Sequence, residues 1–276
     1  MSIARLMQMA RAGVQREGWD LANASYDGVS FSVGGQDTSP YGVCFNNDGT
    51  KMYTVGLQSD TVHQYSLSTA FDISTASYDN TSFSVTLQEG APRAVAFKND
   101  GTKMYIVGTT ADSVFQYSLS TAFDVGTASY DSVSFSVAAQ TLTPYSVDFN
   151  NTGTKMFVIS AAADASVYQY SLSTAFNVGT ASYDSVSFSV AAQDTSPRDV
   201  EFSADGTKMF TVGSGPDAVF QYSLSTAFDV GTASYDSVSF SVPQLVNPQG
   251  LTFNSNGTKM YVIGNTGDTI YQYSTA

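Results

Sequence analysis

Asp48-Gly49-Thr50-Lys51-Met52-Tyr53 decides the fold, because this stretch recurs in recognisable form through the chain. Its glycine returns about every 52 residues, at Gly49, Gly101, Gly153, Gly206 and Gly257. Asp-Gly or Asn-Gly between two alternating apolar runs is typical of a tight β-hairpin turn, since glycine takes the positive φ that the turn needs. A repeat of this length with strand-like content predicts a β-propeller built from four-stranded blades.

Each repeat contains four predicted strands, illustrated by the first copy. An inner strand holds Val43-Cys44-Phe45, and a second strand follows the turn at residues 52–56. The third covers residues 62–67 and carries a Gln-Tyr-Ser that returns in all five copies. The fourth is predicted at residues 82–85, after a long connection over residues 68–80.

The two ends of the repeat region are out of phase with each other. Trp19 to Asp27 matches the stretch that begins at Phe71, so the sequence supplies a fourth strand, Tyr26 to Val33, before any first strand. Near the other end, the last Gln-Tyr-Ser completes a third strand without a fourth. Pairing these two strands would close the ring and bury an open edge. We therefore predict an all-β chain whose residues 18–276 form a single five-bladed β-propeller.

Bulk properties exclude several classes of protein. The formal net charge of −13 argues against a nucleic-acid surface. No run of 18 apolar residues is present, so no membrane span is expected. Cys44 is the only cysteine, which excludes an internal disulfide and a cysteine-based metal cluster and suggests a small buried or half-buried residue. No cofactor or metal is predicted.

Residues 1–17 lie outside the repeats and form a separate predicted unit, a short helical anchor. This segment has a net charge of +2, opposite in sign to the rest of the chain. Its apolar stripe consists of Ile3, Leu6, Met7 and Ala10. A helix this short is marginal alone in water, so it would dock either on its own ring or on a partner protein. It lacks the features of a signal peptide.

The repeat, with Asp-Gly-Thr-Lys-Met-Tyr followed by Gln-Tyr-Ser-Leu-Ser-Thr-Ala, resembles propeller repeats of marine bacteria and their phages. The opening residues 4–10, Ala-Arg-Leu-Met-Gln-Met-Ala, are similar to short N-termini of cyanophage virion proteins. The resemblance implies a virion structural protein in multiple copies: a tail fibre, appendage or capsid-exterior component. It would be made in the host cytoplasm and attached to other virion proteins through residues 1–17.

One variable position per repeat points to a ligand site at the mouth of the central channel. The loops that enter the inner strands diverge after a shared proline, at Tyr41, Arg93, Tyr145, Arg198 and Gln249. Two arginines and two tyrosines around one opening could engage a carboxylate, a phosphate or a sugar. The alternative is that each arginine pairs with an aspartate of a neighbouring loop.

A second repeated feature is an aspartate eleven residues after each turn glycine. These residues are Asp60, Asp112, Asp164, Asp217 and Asp268. Fivefold repetition favours a structural role in the loops between second and third strands. The loops lack the Asp-x-Asp spacing of a calcium site, so we expect no metal there.

An enzyme is the weaker hypothesis. A glycosidase needs two carboxylates that flank one bond, and the inner strands offer Asp148 and Glu201, with Asp199 nearby. Loop lengths vary too little between repeats to build an active site, and no nucleophile–base pair is apparent. Two non-enzymatic functions remain: a virion structural component, and a lectin-like module that binds host-surface glycans.

Overall fold

A computed structural model describes residues 18–161 and 165–276 and contains five separate four-stranded antiparallel sheets. The inner strands of neighbouring sheets lie side by side around a central channel. The five-bladed β-propeller predicted from the sequence is therefore confirmed. The predicted helical anchor and Asp164 lie outside the described residues.

The strands of each blade follow in chain order from the channel outwards. The inner strands are β2 (Pro40–Phe45), β6 (Pro92–Phe97), β10 (Pro144–Phe149), β14 (Pro197–Phe202) and β18 (Pro248–Phe253). The second strands are β3 (Lys51–Gly56), β7 (Lys103–Gly108), β11 (Lys155–Ser160), β15 (Lys208–Gly213) and β19 (Lys259–Gly264). The third strands are β4 (Thr61–Leu67), β8 (Ser113–Leu119), β12 (Ser166–Leu172), β16 (Ala218–Leu224) and β20 (Thr269–Ser274). The outer strands are β5 (Ala76–Ser84), β9 (Ala128–Ser136), β13 (Ala181–Ser189), β17 (Ala233–Ser241) and, from the N-terminal side, β1 (Ser25–Ser32).

Each outer strand follows a short 3-10 helix. These helices are η1 (Leu21–Asn23), η2 (Ile73–Thr75), η3 (Val125–Thr127), η4 (Val178–Thr180) and η5 (Val230–Thr232). No helix of the described residues has the length and hydropathy needed to cross a lipid bilayer.

The ring is closed by the N-terminal strand. Strand β1 pairs antiparallel with β20, the last strand of the chain, so the fifth sheet has the order β1-β20-β19-β18. The closing strand runs from Ser25 to Ser32, one residue earlier than predicted. Because β1 covers the exposed side of β20, the last blade keeps the same four-stranded form as the other four.

The outer strands are longer than the sequence indicates. Strand β5 begins at Ala76, whereas the predicted strand covered only residues 82–85. A β-bulge interrupts its pairing with β4, and Asn80 at this point has a φ of 55°. The bulge breaks the apolar alternation, which is why the first half of the strand read as a connection.

The turn glycines are required by both conformation and space. Gly101 has a φ of 71°, and an added Cβ atom would lie 2.2 Å from the ring of Phe123. The other four turns have the same arrangement, with an aromatic ring seated directly over the glycine. In the fifth blade, Trp19 takes the place of the phenylalanine over Gly257. The repeated Asp-Gly thus fixes the turn and also holds the connection that precedes the next outer strand.

Substitution of Gly101 by alanine should therefore be costly. The left-handed conformation and the overlap with Phe123 are each worth about 1 to 3 kcal/mol. We expect Gly101→Ala to lower the free energy of unfolding by about 3 kcal/mol in chemical denaturation. Gly90→Ala is a matched control, because its Cβ would meet only Thr110 Oγ1 at 3.9 Å. Equal stability of the two variants would contradict this account.

The repeated Gln-Tyr-Ser joins each blade to a neighbour. The Gln64 amide donates to Asp79 within its own blade at 2.9 Å and accepts from the Val125 backbone N–H of the next blade at 3.0 Å. The same link crosses the closure, where the Leu21 N–H donates to Gln221 Oε1 at 2.9 Å. This glutamine leaves no buried backbone donor unsatisfied at the start of the 3-10 helices, which accounts for its presence in all five copies.

Candidate functional site: the central channel and its mouth

A β-bulge at the start of each inner strand sets the direction of the mouth residues. The register shifts after the opening proline in all five blades, for example between Pro40 and Gly42 in β2. The extra residue is the variable one singled out from the sequence. Bulges of this kind re-aim a side chain. The mouth residues are Tyr41, Arg93, Tyr145, Arg198 and Gln249, one from each blade.

Four of the mouth residues form one stack. The Arg93 guanidinium lies 4.2 Å from the ring centroid of Tyr41 and 4.8 Å from that of Tyr145. The Arg198 guanidinium lies 4.3 Å from the Tyr145 centroid. The two tyrosine rings belong to blades 1 and 3, yet their centroids are only 6.4 Å apart. The stack therefore spans the mouth, and cation–π attraction holds both guanidinium planes.

The mouth arginines are not held by aspartates. Among the described residues, neither Arg93 nor Arg198 has a carboxylate oxygen within 4.0 Å. All six lysines, by contrast, form ion pairs with aspartates, at 2.5 to 3.5 Å. The alternative interpretation, in which each arginine pairs with a loop aspartate, thus finds no support in these distances.

Several polar atoms of the mouth are buried without a hydrogen-bond partner. They are Arg93 Nη1, Arg198 Nε and Gln249 Oε1. Arg93 donates from Nε and Nη2 to Thr109 Oγ1, both at 3.3 Å, and Arg198 Nη2 donates to Ser214 Oγ at 3.2 Å. The Gln249 side chain is only 5% exposed. Unsatisfied buried groups of this kind each need an explanation in a native structure.

A cavity of about 220 Å³ lies in the channel below the stack. Glycine and alanine leave space on the side of blades 1 and 2, whereas blades 3 and 4 contribute Asp148, Asp199 and Glu201. The lining extends to Asn47 and Ser255 at the tight-turn face, which we define as the end of the ring that carries the Asp-Gly turns. The cavity therefore extends from just beneath the mouth residues to the tight-turn face at the other end of the channel.

The three channel carboxyls resist ionisation. Burial raises the pKa of Asp199 to about 7. Burial, together with the charges of Asp148 and Asp199, raises the pKa of Glu201 well above its ordinary value, and burial raises that of Asp148 as well. The backbone partly satisfies them, since Asp199 accepts from the N–H groups of Val200 and Leu251, each at 2.8 Å. Near neutral pH the cluster therefore retains protons.

Comparisons with known proteins agree with this architecture. A protein of unknown function from Desulfotomaculum acetoxidans superposes with a TM-score of 0.53 at 16% identity, over 83% of this chain and 66% of that chain. A Bacteroides uniformis protein described as a "putative 6-phosphogluconolactonase" gives 0.52 at 15%, over 84% and 65%. This chain thus spans just under two thirds of their length. Searches with protein-family models and among curated proteins each returned no match. At these identities the likeness shows the fold alone.

Cys44 is half-buried, as predicted from the sequence, and lies on the channel wall. It is partly exposed and lines the cavity opposite the carboxyls. Burial in the channel, with the charges of Glu201 and Asp199, raises the pKa of its thiol. A thiol that stays protonated is a poor nucleophile.

The repeated loop aspartates serve the backbone. Asp60, Asp112, Asp217 and Asp268 have φ values between 46° and 51°, and the carbonyl of each accepts from the residue that follows an outer strand. Aspartate tolerates this left-handed conformation better than most residues. In blade 3 an inserted residue shifts the pattern, so Ala165 holds the equivalent place with a φ of 40°. No three His, Cys, Asp or Glu side chains in the described ranges are arranged to hold a metal ion.

Sequence reasoning missed a second set of buried acids, beneath the loops at the mouth face. Asp37 accepts from the Ser39 N–H at 2.7 Å and from the Ser59 N–H at 3.1 Å. Glu89 accepts three backbone N–H bonds in the second blade, and Asp194 occupies the equivalent place in the fourth. The signal was an acidic residue three positions before the entry proline. These acids fix the loops that frame the mouth.

Proposed function

We propose that this protein is a non-enzymatic structural component of a phage virion, held by residues 1–17 and presenting its mouth to a glycan of the host surface. The repeat and the opening residues 4–10 support a virion role through their resemblance to such proteins. In this proposal the protein is made in the host cytoplasm and assembles in multiple copies with other virion proteins. It binds neither nucleic acid nor a membrane.

The observation that carries the proposal is that the chain enters the ring at the face opposite the mouth. The described chain enters at Gly18, whose added Cβ would lie 2.2 Å from the carbonyl oxygen of Asn256 in a tight turn. The next residue, Trp19, donates its N–H to the Gly257 carbonyl at 2.8 Å. Residues 1–17 are therefore joined to the tight-turn face, at the end opposite the mouth. An attachment at one face and a recognition surface at the other is the arrangement an adhesion protein needs.

Backbone hydrogen bonds give two of the channel carboxyls a structural role. Asp148 accepts from the Phe149 N–H at 2.7 Å, and Asp199 ties its own strand to the inner strand of the next blade. Both groups therefore have a structural role in the channel wall. The glycosidase hypothesis would place its acid and base at Asp148 and Glu201.

Removal of residues 1–17 tests the attachment. We expect the chain of residues 18–276 to melt within a few degrees of the full-length protein and to be absent from purified particles. The full-length protein with Leu6→Asp and Met7→Asp should likewise keep its melting temperature and be absent from particles, because burial of the apolar stripe orders a short helix. Gln8→Asp with Gln15→Asp is the control, because it adds the same two negative charges outside the apolar stripe. This variant should still assemble into particles. Incorporation of the truncated ring would refute the attachment.

A lectin-like module that acts without a particle is the second candidate, and the cluster of arginines and tyrosines at the mouth favours it equally. Particle content separates the two. Saturable glycan binding by a protein that is absent from virions would establish the lectin. Presence in virions together with glycan binding would support the first proposal.

A further inference from the structure

We propose that the mouth binds one oxyanion, the carboxylate or sulfate group of an acidic sugar, between Arg93 and Arg198. This inference rests on the proposed function of the mouth as a recognition surface and names the chemistry that it recognises.

Charge pairing in the rest of the molecule makes the two arginines exceptional. The chain carries a formal net charge of −13, and each of its six lysines has an aspartate partner. Arg93 and Arg198 alone among the described cations have no carboxylate within 4.0 Å, although both are partly buried. Partly buried charges without a partner are costly. An external anion would supply the missing partner.

The stack uses none of the N–H donors of the two guanidiniums. Tyr41 and Tyr145 lie against the flat faces of the arginines, whereas the N–H donors point outwards in the guanidinium plane. Arg93 and Arg198 both pack against the ring of Tyr145, so the two guanidiniums lie in the same part of the mouth. A planar carboxylate or a sulfate takes two such donors at once.

Neighbouring polar groups suit a sugar. Gln249 Oε1 is buried without a donor, and a sugar hydroxyl could supply one. Thr109 and Ser214 already accept from the arginines and so direct the remaining N–H groups elsewhere. Asp194 is a competing anion, since the Arg198 charge acts to lower its pKa. Burial nonetheless raises the pKa of Asp194 overall, and no Asp194 oxygen lies within 4.0 Å of an Arg198 nitrogen.

Calorimetric titration of the full chain tests the inference. The probes are glucuronate, glucose 6-sulfate, glucose and inorganic sulfate. We expect saturable binding of one of the two acidic sugars that weakens with added salt, and at least tenfold weaker binding of glucose. Carboxylate and sulfate sources are distinguished by which acidic sugar binds. Arg93→Met with Arg198→Met should weaken the acidic sugar at least tenfold.

Two further variants keep the test decisive. Arg93→Lys with Arg198→Lys retains both charges and loses the planar donor edge, so it should also bind less tightly if the two-donor geometry matters. Lys98→Met removes one positive charge from the tight-turn face and should bind as the unmodified protein does. Melting curves confirm that each variant is folded.

The outcomes separate this inference from the proposed function. A ring that binds host cells and neutral glycans but gains nothing from an acidic group would overturn the oxyanion and leave the adhesion proposal standing. Inorganic sulfate that binds as tightly as the sulfated sugar would also overturn the inference. The site would then hold an adventitious ion only, with no contribution from the sugar. Binding of an acidic sugar by a protein that has no affinity for host cells would support the oxyanion and refute the adhesion role.

Discussion

A chain without residues 19–33 is expected to lose the closed ring and to aggregate or melt at least 15 °C lower, measured by circular dichroism with light scattering. The missing segment contains β1, which covers the outer side of β20 along six paired residues. It also contains Leu21 and Val33, which are 2% and 0% exposed. Their removal opens a flat strand edge and two packing defects at the same place.

The chain of residues 18–276 is the matched control for this deletion, because it keeps every described contact of the closing strand. Its melting curve should stay close to that of the full-length protein. A chain without residues 19–33 that melts equally late would mean that β1 contributes little to closure. A soluble, monomeric protein with a large loss of native β signal would still fit the account, since an open ring need not aggregate at low concentration.

The fold could be predicted from the sequence because each structural signal occurs in all five repeats. The turn glycine, the Gln-Tyr-Ser and the phase offset of Trp19 each predicted a feature that the structure contains. The predicted outer strands were too short, because the bulge at Asn80 interrupts the alternation of apolar and polar residues between the two halves of the strand. In blade 3 the left-handed position is Ala165, because of an inserted residue that spacing from the turn glycine could not detect.

The candidate site was predictable as a set of residues but not as an arrangement. One variable residue per repeat, placed before an inner strand, is enough to bring Tyr41 and Arg198 to the same opening. The stacking of Arg93 between tyrosines of blades 1 and 3 depends on the diameter of the ring and on the bulges that aim the side chains. A linear pattern contains neither quantity. The pairing of arginines with aspartates was plausible from composition and is absent from the described contacts.

Replacement of Glu201 by glutamine is expected to stabilise the protein at pH 8 and to leave it unchanged at pH 4. Glu201 shares the channel with Asp148 and Asp199. Burial raises the pKa of all three, and repulsion by neighbouring carboxyls adds to the rise for Asp148 and Glu201. Glutamine has nearly the same shape and no charge to desolvate. Because an unpaired buried charge is costly, we expect a gain of about 1 to 3 kcal/mol in the free energy of unfolding at pH 8.

The direction of the pH dependence follows from the raised pKa values. Asp199 binds its proton up to about pH 7 in the folded chain, against an ordinary value of 3.8. Its favourable contribution is complete below about pH 4 and is lost as the pH rises through 7. For a fully buried group this difference corresponds to about 4 kcal/mol. The ion-paired Asp79 has a lowered pKa and acts oppositely, so its contribution is lost only as the pH falls below about 4.

Melting temperatures of both proteins between pH 4 and 8 provide the measurement. Other acids outside the channel also have raised pKa values and contribute to the overall slope; they are Asp60, Asp112, Asp194 and Asp268. The difference in melting temperature between the variant and the unmodified protein reports the contribution of the channel carboxyls alone. This difference should grow steadily from pH 5 to pH 8. Asp48→Asn is the matched control, since the fifth blade already has Asn256 at that position and Asp48 is exposed. A Glu201→Gln variant that tracks the unmodified protein at every pH would mean that the channel carboxyls ionise without cost, and that water or a bound cation already solvates them.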